Sequence, residues 1–168
     1  MDFLGFHAQL HPRRHAVTDM ASGRSWSYAQ FDRLVAGIAA WLADRGIGEG
    51  MRVACLAKNC AEIIALHMAC ARLGAIFVPL NWRLSAVEVQ QVIEDCEPAA
   101  LFGDEMAEEL GLSAEDIFAL ESRSRSVEPM AAMQVPDDLP SLMLYTSGTT
   151  GKPKGVLLSE RNLVGRSG

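Results

Sequence analysis

Positive charge is scarce in this chain. Fifteen lysines and arginines stand against 21 aspartates and glutamates, for a formal net charge of −6 and a pI near 5.2. Such a chain has no basic field to neutralise a nucleic-acid backbone, so no nucleic-acid partner is expected. A long uninterrupted apolar run is also missing. The most apolar stretch, Ala61 to Leu80, is broken by Glu62, His67, Arg72 and Gly74, which a bilayer core tolerates poorly, so no transmembrane segment is expected. The opening residues, Met1-Asp2-Phe3-Leu4-Gly5-Phe6, lack the basic region, apolar run and small-residue cleavage site of a secretory signal. Cysteine pairs at metal or redox spacing are absent too. Cys55, Cys60, Cys70 and Cys96 have no Cys-x-x-Cys arrangement, which predicts reduced thiols in a cytoplasmic protein rather than a disulfide framework.

Hydrophobic residues make up 49% of the chain and charged residues 21%, a composition that can build a core and is far from that of disorder. At 168 residues the length suits one compact domain or part of a larger one. From Ser27 onward the pattern becomes periodic. Ser27 with Gln30 makes a capping box, and Tyr28, Phe31, Leu34, Val35, Ile38, Trp41 and Leu42 recur at helical spacing, predicting a helix to about Arg45 that stops at Gly46. Val53 to Leu56 reads as a buried strand, Ala61 to Leu73 as a helix ended by Gly74, and Ile76 to Pro79 as a second strand. Ser85 with Glu88 opens a further helix to about Cys96, stopped by Pro98, and Ala99 to Phe102 is the next strand. Strands alternating with helices across short connections predict an α/β fold built of parallel βαβ units.

The stretch from Asp104 to Pro140 is less regular. It reads as a connecting region with a short helix near Glu105 to Leu110, and the mixed-charge run Glu121 to Ser126 reads as a solvated loop without function. Other chemistry-bearing residues carry no site. His7, His11 and His15 are spaced by four, but Pro12 breaks the helix that would align them. His67 and Cys70 share a helix face without further partners and read as core packing. The adjacent acidic pairs Glu94-Asp95, Glu108-Glu109 and Asp137-Asp138 read as solvated charge, and Trp26, Trp41 and Trp82 as core or docking anchors.

Chemistry concentrates near the end of the chain. A strand candidate, Leu142 to Tyr145, runs into Thr146-Ser147-Gly148-Thr149-Thr150-Gly151-Lys152-Pro153-Lys154-Gly155, followed by Val156-Leu157-Leu158. Glycines let backbone N–H groups approach an anion, hydroxyls donate short hydrogen bonds, and lysines supply positive charge, a combination suited to a polyphosphate. It is not a Walker loop. Counting from Gly148, the second glycine should stand where Pro153 is, and Lys152 is followed by proline rather than a hydroxyl residue. The segment is expected to form an exposed loop, Thr146 to Lys154, between two strands.

Residues 145–156, YTSGTTGKPKGV, resemble the signature phosphate loop of the adenylate-forming superfamily, which includes acyl-CoA synthetases, peptide-synthetase adenylation domains and luciferases. Gly23 to Tyr28 resembles that superfamily's early Ser/Thr-Tyr helix entry, and Leu73 to Asn81 its Gly-Ala strand ending in Pro-Leu-Asn, so the resemblance covers nearly the whole chain. Asn81-Trp82-Arg83-Leu84-Ser85 is more similar to fatty- and aryl-acyl-CoA synthetases, whereas peptide-synthetase domains tend to carry aspartate after Pro-Leu. Glu160 departs from the histidine common in relatives after the loop.

The resemblance implies that residues 1–168 are the opening part of a longer AMP-binding domain of a fatty-acid–CoA ligase or related acyl-CoA synthetase. It implies ATP, Mg²⁺ and coenzyme A as cofactor and co-substrates, and a small carboxylic acid as substrate. Thr146, Ser147, Gly148, Thr149, Thr150 and Gly151 would embrace the β- and γ-phosphates while Lys152 and Lys154 screen their charge. No catalytic residue and no metal ligand is assignable within the chain, because the family places those groups later. The isolated chain is therefore expected to be inactive and to self-associate or need a complementing segment. The alternative reading is a non-catalytic module that keeps the loop to bind nucleotide or a partner.

Overall fold

The computed structural model describes residues 2–131, 133, 135–147 and 153–164. A short helix α1 (Phe3–Leu10) precedes a two-stranded antiparallel hairpin, β1 (His15–Thr18) and β2 (Ser25–Ser27). The chain then alternates through α2 (Tyr28–Asp44), β3 (Arg52–Leu56), α3 (Ala61–Leu73), β4 (Ile76–Pro79), α4 (Ala86–Cys96), β5 (Ala100–Gly103) and α5 (Glu105–Glu109). After β6 (Glu115–Asp116) come a 3₁₀ turn at Ile117–Ala119 and α6 (Leu120–Ser124), then β7 (Pro140–Ser147), β8 (Pro153–Ser159) and α7 (Glu160–Val164).

Six strands form one sheet in the order β6-β5-β3-β4-β7-β8, parallel throughout except for the antiparallel pair β7 and β8 at one edge. The α/β class and the βαβ units expected from the sequence are those observed. Central strand β3 explains why its sequence is continuously apolar: Val53 and Cys55 face one core while Ala54 and Leu56 face the other. The first core joins α2 and α3 to the sheet around Phe31, Ile38, Leu66, Phe77 and Phe102. On the opposite face α4 and α5 pack through Val89, Val92 and Ala107.

Local signals set most boundaries. Ser27 Oγ accepts from the Gln30 N–H at 3.3 Å while Gln30 Oε1 accepts from the Ser27 N–H at 2.8 Å, the reciprocal pair that starts α2. Ser85 and Glu88 do the same for α4. Gly74 ends α3 at φ 68°, a left-handed conformation a side chain would disfavour. Helix α4 ends at Cys96, as the sequence suggests. Glu97 turns left-handed at φ 41°, and the Arg52 guanidinium donates to the carbonyls of Cys96 and Glu97.

The Glu121 to Ser126 run is not the solvated loop that its composition suggests. Residues 120–124 form α6, and Ser124 is buried against α2 at Gly37, where an added Cβ would stand 2.5 Å from the Ser124 carbonyl oxygen. Its charges find partners brought by other elements: Arg24 lies 2.9 Å from Glu121, and Glu115 2.5 Å from Arg123. The serine hydroxyls bond back to carbonyls three residues earlier, which satisfies the short helix locally.

Before Ser27 the sequence carries no strong period, and there the structure adds α1 and the β1–β2 hairpin. Asp19 organises the hairpin turn, accepting from Ala21 and Ser22 N–H groups at 2.9 and 3.0 Å. Its second oxygen accepts from the Ala61 N–H at 3.3 Å, serving the start of α3, where Cys60 makes no side-chain cap. Arg24 closes this corner, 2.7 Å from the fully buried Glu62. His7 and His11 stack at 6.2 Å, while His15 hydrogen-bonds Thr18 on β1. Cys70 is buried and His67 stacks on Phe77 at 5.2 Å, so both pack the core as expected. Trp26 and Trp41 are anchors, but Trp82 is not: it is 42% exposed, on the loop after β4.

Candidate functional site

The helix leaving β3 covers one face of the sheet and the helix leaving β4 covers the other. Where neighbouring parallel strands send their connections to opposite faces, a crevice opens beyond their carboxyl ends, the usual place for a ligand in an open α/β sheet. Here that crevice is a cleft of about 840 Å³, lined among others by Asn59, Asn81, Trp82, Tyr145, Thr146 and Pro153. The exposed Trp82 thus stands at its rim, with the Arg83 guanidinium 4.9 Å from its ring centre. A second cavity of about 640 Å³ lies at the amino end of β7, lined by His67, Arg72 and Ser141, away from the glycine- and threonine-rich segment.

That segment is carried by the β7–β8 hairpin. Its ladder is longer than the sequence suggests: Tyr145 pairs with Gly155, Thr146 with Lys154 and Ser147 with Pro153. Of the residues expected as a loop, Thr146 to Lys154, Thr146, Ser147, Pro153 and Lys154 therefore belong to strands. Threonine suits an extended ladder, and the antiparallel partner satisfies its backbone. Gly148, Thr149, Thr150, Gly151 and Lys152 lie outside the described residues.

Directly opposed residues of an antiparallel pair share a face, so Thr146 and Lys154 project together, both exposed. One step earlier, Tyr145 and Gly155 occupy the face turned to α4. The chain holds three lysines, and two of them, Lys152 and Lys154, fall in this ten-residue segment of a protein with net charge −6. The third, Lys58, lies beyond β3, its backbone N–H bonded to Asp104 at 2.9 Å. Concentrating cationic and hydroxyl groups in one short segment of the sequence favours a compact polyanion.

Sequence reasoning missed one contact of this hairpin. Asp95, read as a solvated charge beside Glu94, accepts a hydrogen bond from the Tyr145 hydroxyl at 2.5 Å. Burial, then this hydrogen bond, raises the Tyr145 phenol well above its ordinary range. The two residues are 50 positions apart, so no local pattern could have joined them.

Among the described residues no group of three or more His, Cys, Asp and Glu side chains is placed to hold a metal ion, and no helix is long and apolar enough to cross a membrane. All four cysteines are free thiols.

Residues 6–167 match the family described as AMP-binding enzyme. The indoleacetate–CoA ligase of Aromatoleum aromaticum is 38% identical over 97% of this chain and 35% of its own length. The fatty acid–[acyl-carrier-protein] ligase ScoC of Streptomyces coeruleorubidus is 36% identical over 94% and 32%. Among solved structures, the N-terminal domain of FACL13 from Mycobacterium tuberculosis superimposes with a TM-score of 0.85 at 30% identity, covering 94% of this chain and 43% of that one. The chain spans about a third of the length of the curated relatives it matches. The chain belongs to the AMP-binding enzyme family, whose members are ATP-dependent, acid-activating ligases.

Proposed function

We propose that the β7–β8 hairpin holds the β- and γ-phosphates of ATP in a ligase that activates a carboxylic acid and passes it to coenzyme A. The observation that carries this reading is the cross-strand pair Thr146 and Lys154, exposed together, with a second lysine two residues before Lys154 in the sequence. In the first step a carboxylate oxygen attacks the α-phosphorus, and the bond to the β-phosphate oxygen breaks with its electron pair leaving on pyrophosphate. Negative charge grows on the departing end, where the hydroxyls and backbone N–H groups of residues 146–151 and the ammonium groups of Lys152 and Lys154 stabilise it. In the second step the coenzyme A sulfur attacks the acyl carbon and AMP leaves. Magnesium, which would accompany the nucleotide, would neutralise phosphate charge; the described hairpin offers hydroxyl and cationic groups, which suit the phosphates themselves. Preference for a CoA thiol over a carrier protein rests on Asn81 to Ser85. The reaction is assigned to the cytoplasm, in keeping with four free thiols.

Adenylation needs adenine, ribose, metal and carboxylate positioned together, and the hairpin addresses one end of the triphosphate. The 168-residue chain is therefore expected to show no carboxylate-dependent ATP–pyrophosphate exchange across a panel of fatty and aromatic acids. Strand β8 also leaves its outer edge unpaired in the described sheet, with Val156 and Leu157 exposed, so the chain should self-associate or be complemented by a further segment. Exchange assays beside light scattering test both points. Robust exchange by a monodisperse monomer contradicts them.

A further inference from the structure

The hairpin that carries the phosphate segment is joined to the sheet it extends by a short ladder. Among the described residues its pairing with β4 is confined to Leu142 against Phe77, and from Met143 onward β7 and β8 pair only with each other. At the base, Ser141 donates to Glu160 at 3.0 Å, and the Arg161 N–H donates to the Asp137 carbonyl at 2.9 Å. These contacts lie at the end remote from Thr146 and Lys154. A two-stranded ribbon anchored at its base is free to bend and twist unless something grips it farther out.

The described structure supplies that grip through Tyr145. Its ring crosses to the opposing strand over Gly155, where an added Cβ would collide with Met143 and stand 3.2 to 3.3 Å from the Tyr145 ring and hydroxyl. Glycine at the directly paired position gives the ring its place. The hydroxyl then reaches Asp95, near the carboxyl end of α4. That end of α4 is itself fixed: the Arg52 guanidinium, from the start of β3, donates to the carbonyls of Cys96 and Glu97, and Cys96 is buried in the core. A chain of contacts thus runs from the central strand through α4 to the residue immediately before Thr146.

We propose that Asp95 and Tyr145 act as a positioning pair that sets the hairpin's orientation on the sheet and, through it, the aim of Thr146 and Lys154 at the phosphates. The phosphate part rests on the function proposed above. Tyr145 lines the cleft beside Thr146, but its hydroxyl is committed to Asp95 on α4, and Asp95 is not among the residues lining the cleft, so the pair acts on the phosphates through the hairpin's orientation.

The test uses the 168-residue chain with Tyr145→Phe, Asp95→Ala, Asp95→Asn and the Tyr145→Phe/Asp95→Ala double variant. Three quantities are read: amide hydrogen exchange along the hairpin without ligand, the dissociation constant for sodium tripolyphosphate, and the urea midpoint. Loss of one hydrogen bond to a charged group should speed hairpin exchange and weaken tripolyphosphate binding about three- to tenfold, with amides of β3 and β4 unchanged. The double variant should be no worse than either single one, since both remove the same contact. Asp95→Asn keeps an acceptor oxygen and should restore wild-type behaviour. Urea unfolding should shift by no more than about the same three- to tenfold change in the folding equilibrium, which separates loss of this one contact from general loss of stability. Hairpin exchange indifferent to both single substitutions, acceleration spread equally over β3 and β4, or strictly additive effects would each overturn the pair. A wild-type chain that fails to bind tripolyphosphate contradicts the phosphate reading, while the exchange data still decide whether the pair orients the hairpin.

Discussion

Replacing Lys152 or Lys154 by alanine, in a protein extended to the length of its relatives, should slow carboxylate-dependent ATP–pyrophosphate exchange by about 100- to 1,000-fold. The magnitude follows from where charge develops. In the ground state the triphosphate already carries its negative charge, and a lysine bound equally to both states would change only affinity. As the α–β bond breaks, an electron pair moves onto the pyrophosphate, and a cation held at that end gains interaction energy in the transition state. The loss should therefore appear in the exchange rate far more than in the KM for the carboxylate. Thr149→Ala should act in the same direction through a lost hydrogen bond. A carboxylate KM raised alone, at an unchanged rate, would place these residues on the acid rather than on the nucleotide.

The second large effect is on the fold that presents the hairpin. Phe102→Ala should destabilise the chain by about 3 to 5 kcal/mol, the range for truncating a fully buried phenylalanine. Phe102 lies on β5 without solvent exposure, and Trp41 of α2 meets it edge-on at 6.2 Å between ring centres. Trp41 is in turn covered by the guanidinium groups of Arg45 and Arg123, 4.6 and 4.8 Å from its ring centre. Removing the Phe102 ring leaves a void that this rigid stack cannot close. Against a total stability of about 5 to 15 kcal/mol, urea unfolding should show most of the margin gone. Trp82→Ala is the control: a similarly large ring, 42% exposed on the cleft rim, should cost within about 0.5 kcal/mol. Equal costs for the two would mean that the sheet's first core is not packed as described.

How far the sequence could be read follows from the range of its signals. Helices α3 and α4 and strand β4 are legible to the residue because their determinants are local: a capping box, an apolar period, a glycine or proline at the stop. The phosphate segment is legible because ten consecutive residues carry its chemistry. What escaped reading depends on distance. Helix α6 looks like a charged loop until Arg24, nearly a hundred positions earlier, and Glu115 supply its counter-charges. Asp19 shows no role in the sequence until the fold brings the Ala61 N–H to it as a third donor beside those of Ala21 and Ser22. Asp95 looks like one of an exposed acidic pair until β7 lays Tyr145 against it. Trp82 invites a core assignment by its size alone, yet the connection after β4 turns outward at the crevice and leaves the ring in solvent.

The central claim is that the β7–β8 hairpin is the triphosphate site, and amide chemical-shift mapping of the chain with MgATP tests it most directly. The expected result is shift changes concentrated at Thr146, Ser147 and Lys154 and across the residues between them, with weaker changes along the hairpin towards Tyr145. Backbone N–H groups and cations of that segment are the groups proposed to meet the phosphates, so they should respond first. Shifts centred instead on the cavity of His67 and Arg72 at the other end of β7, or no response at the hairpin at saturating nucleotide, would contradict the account.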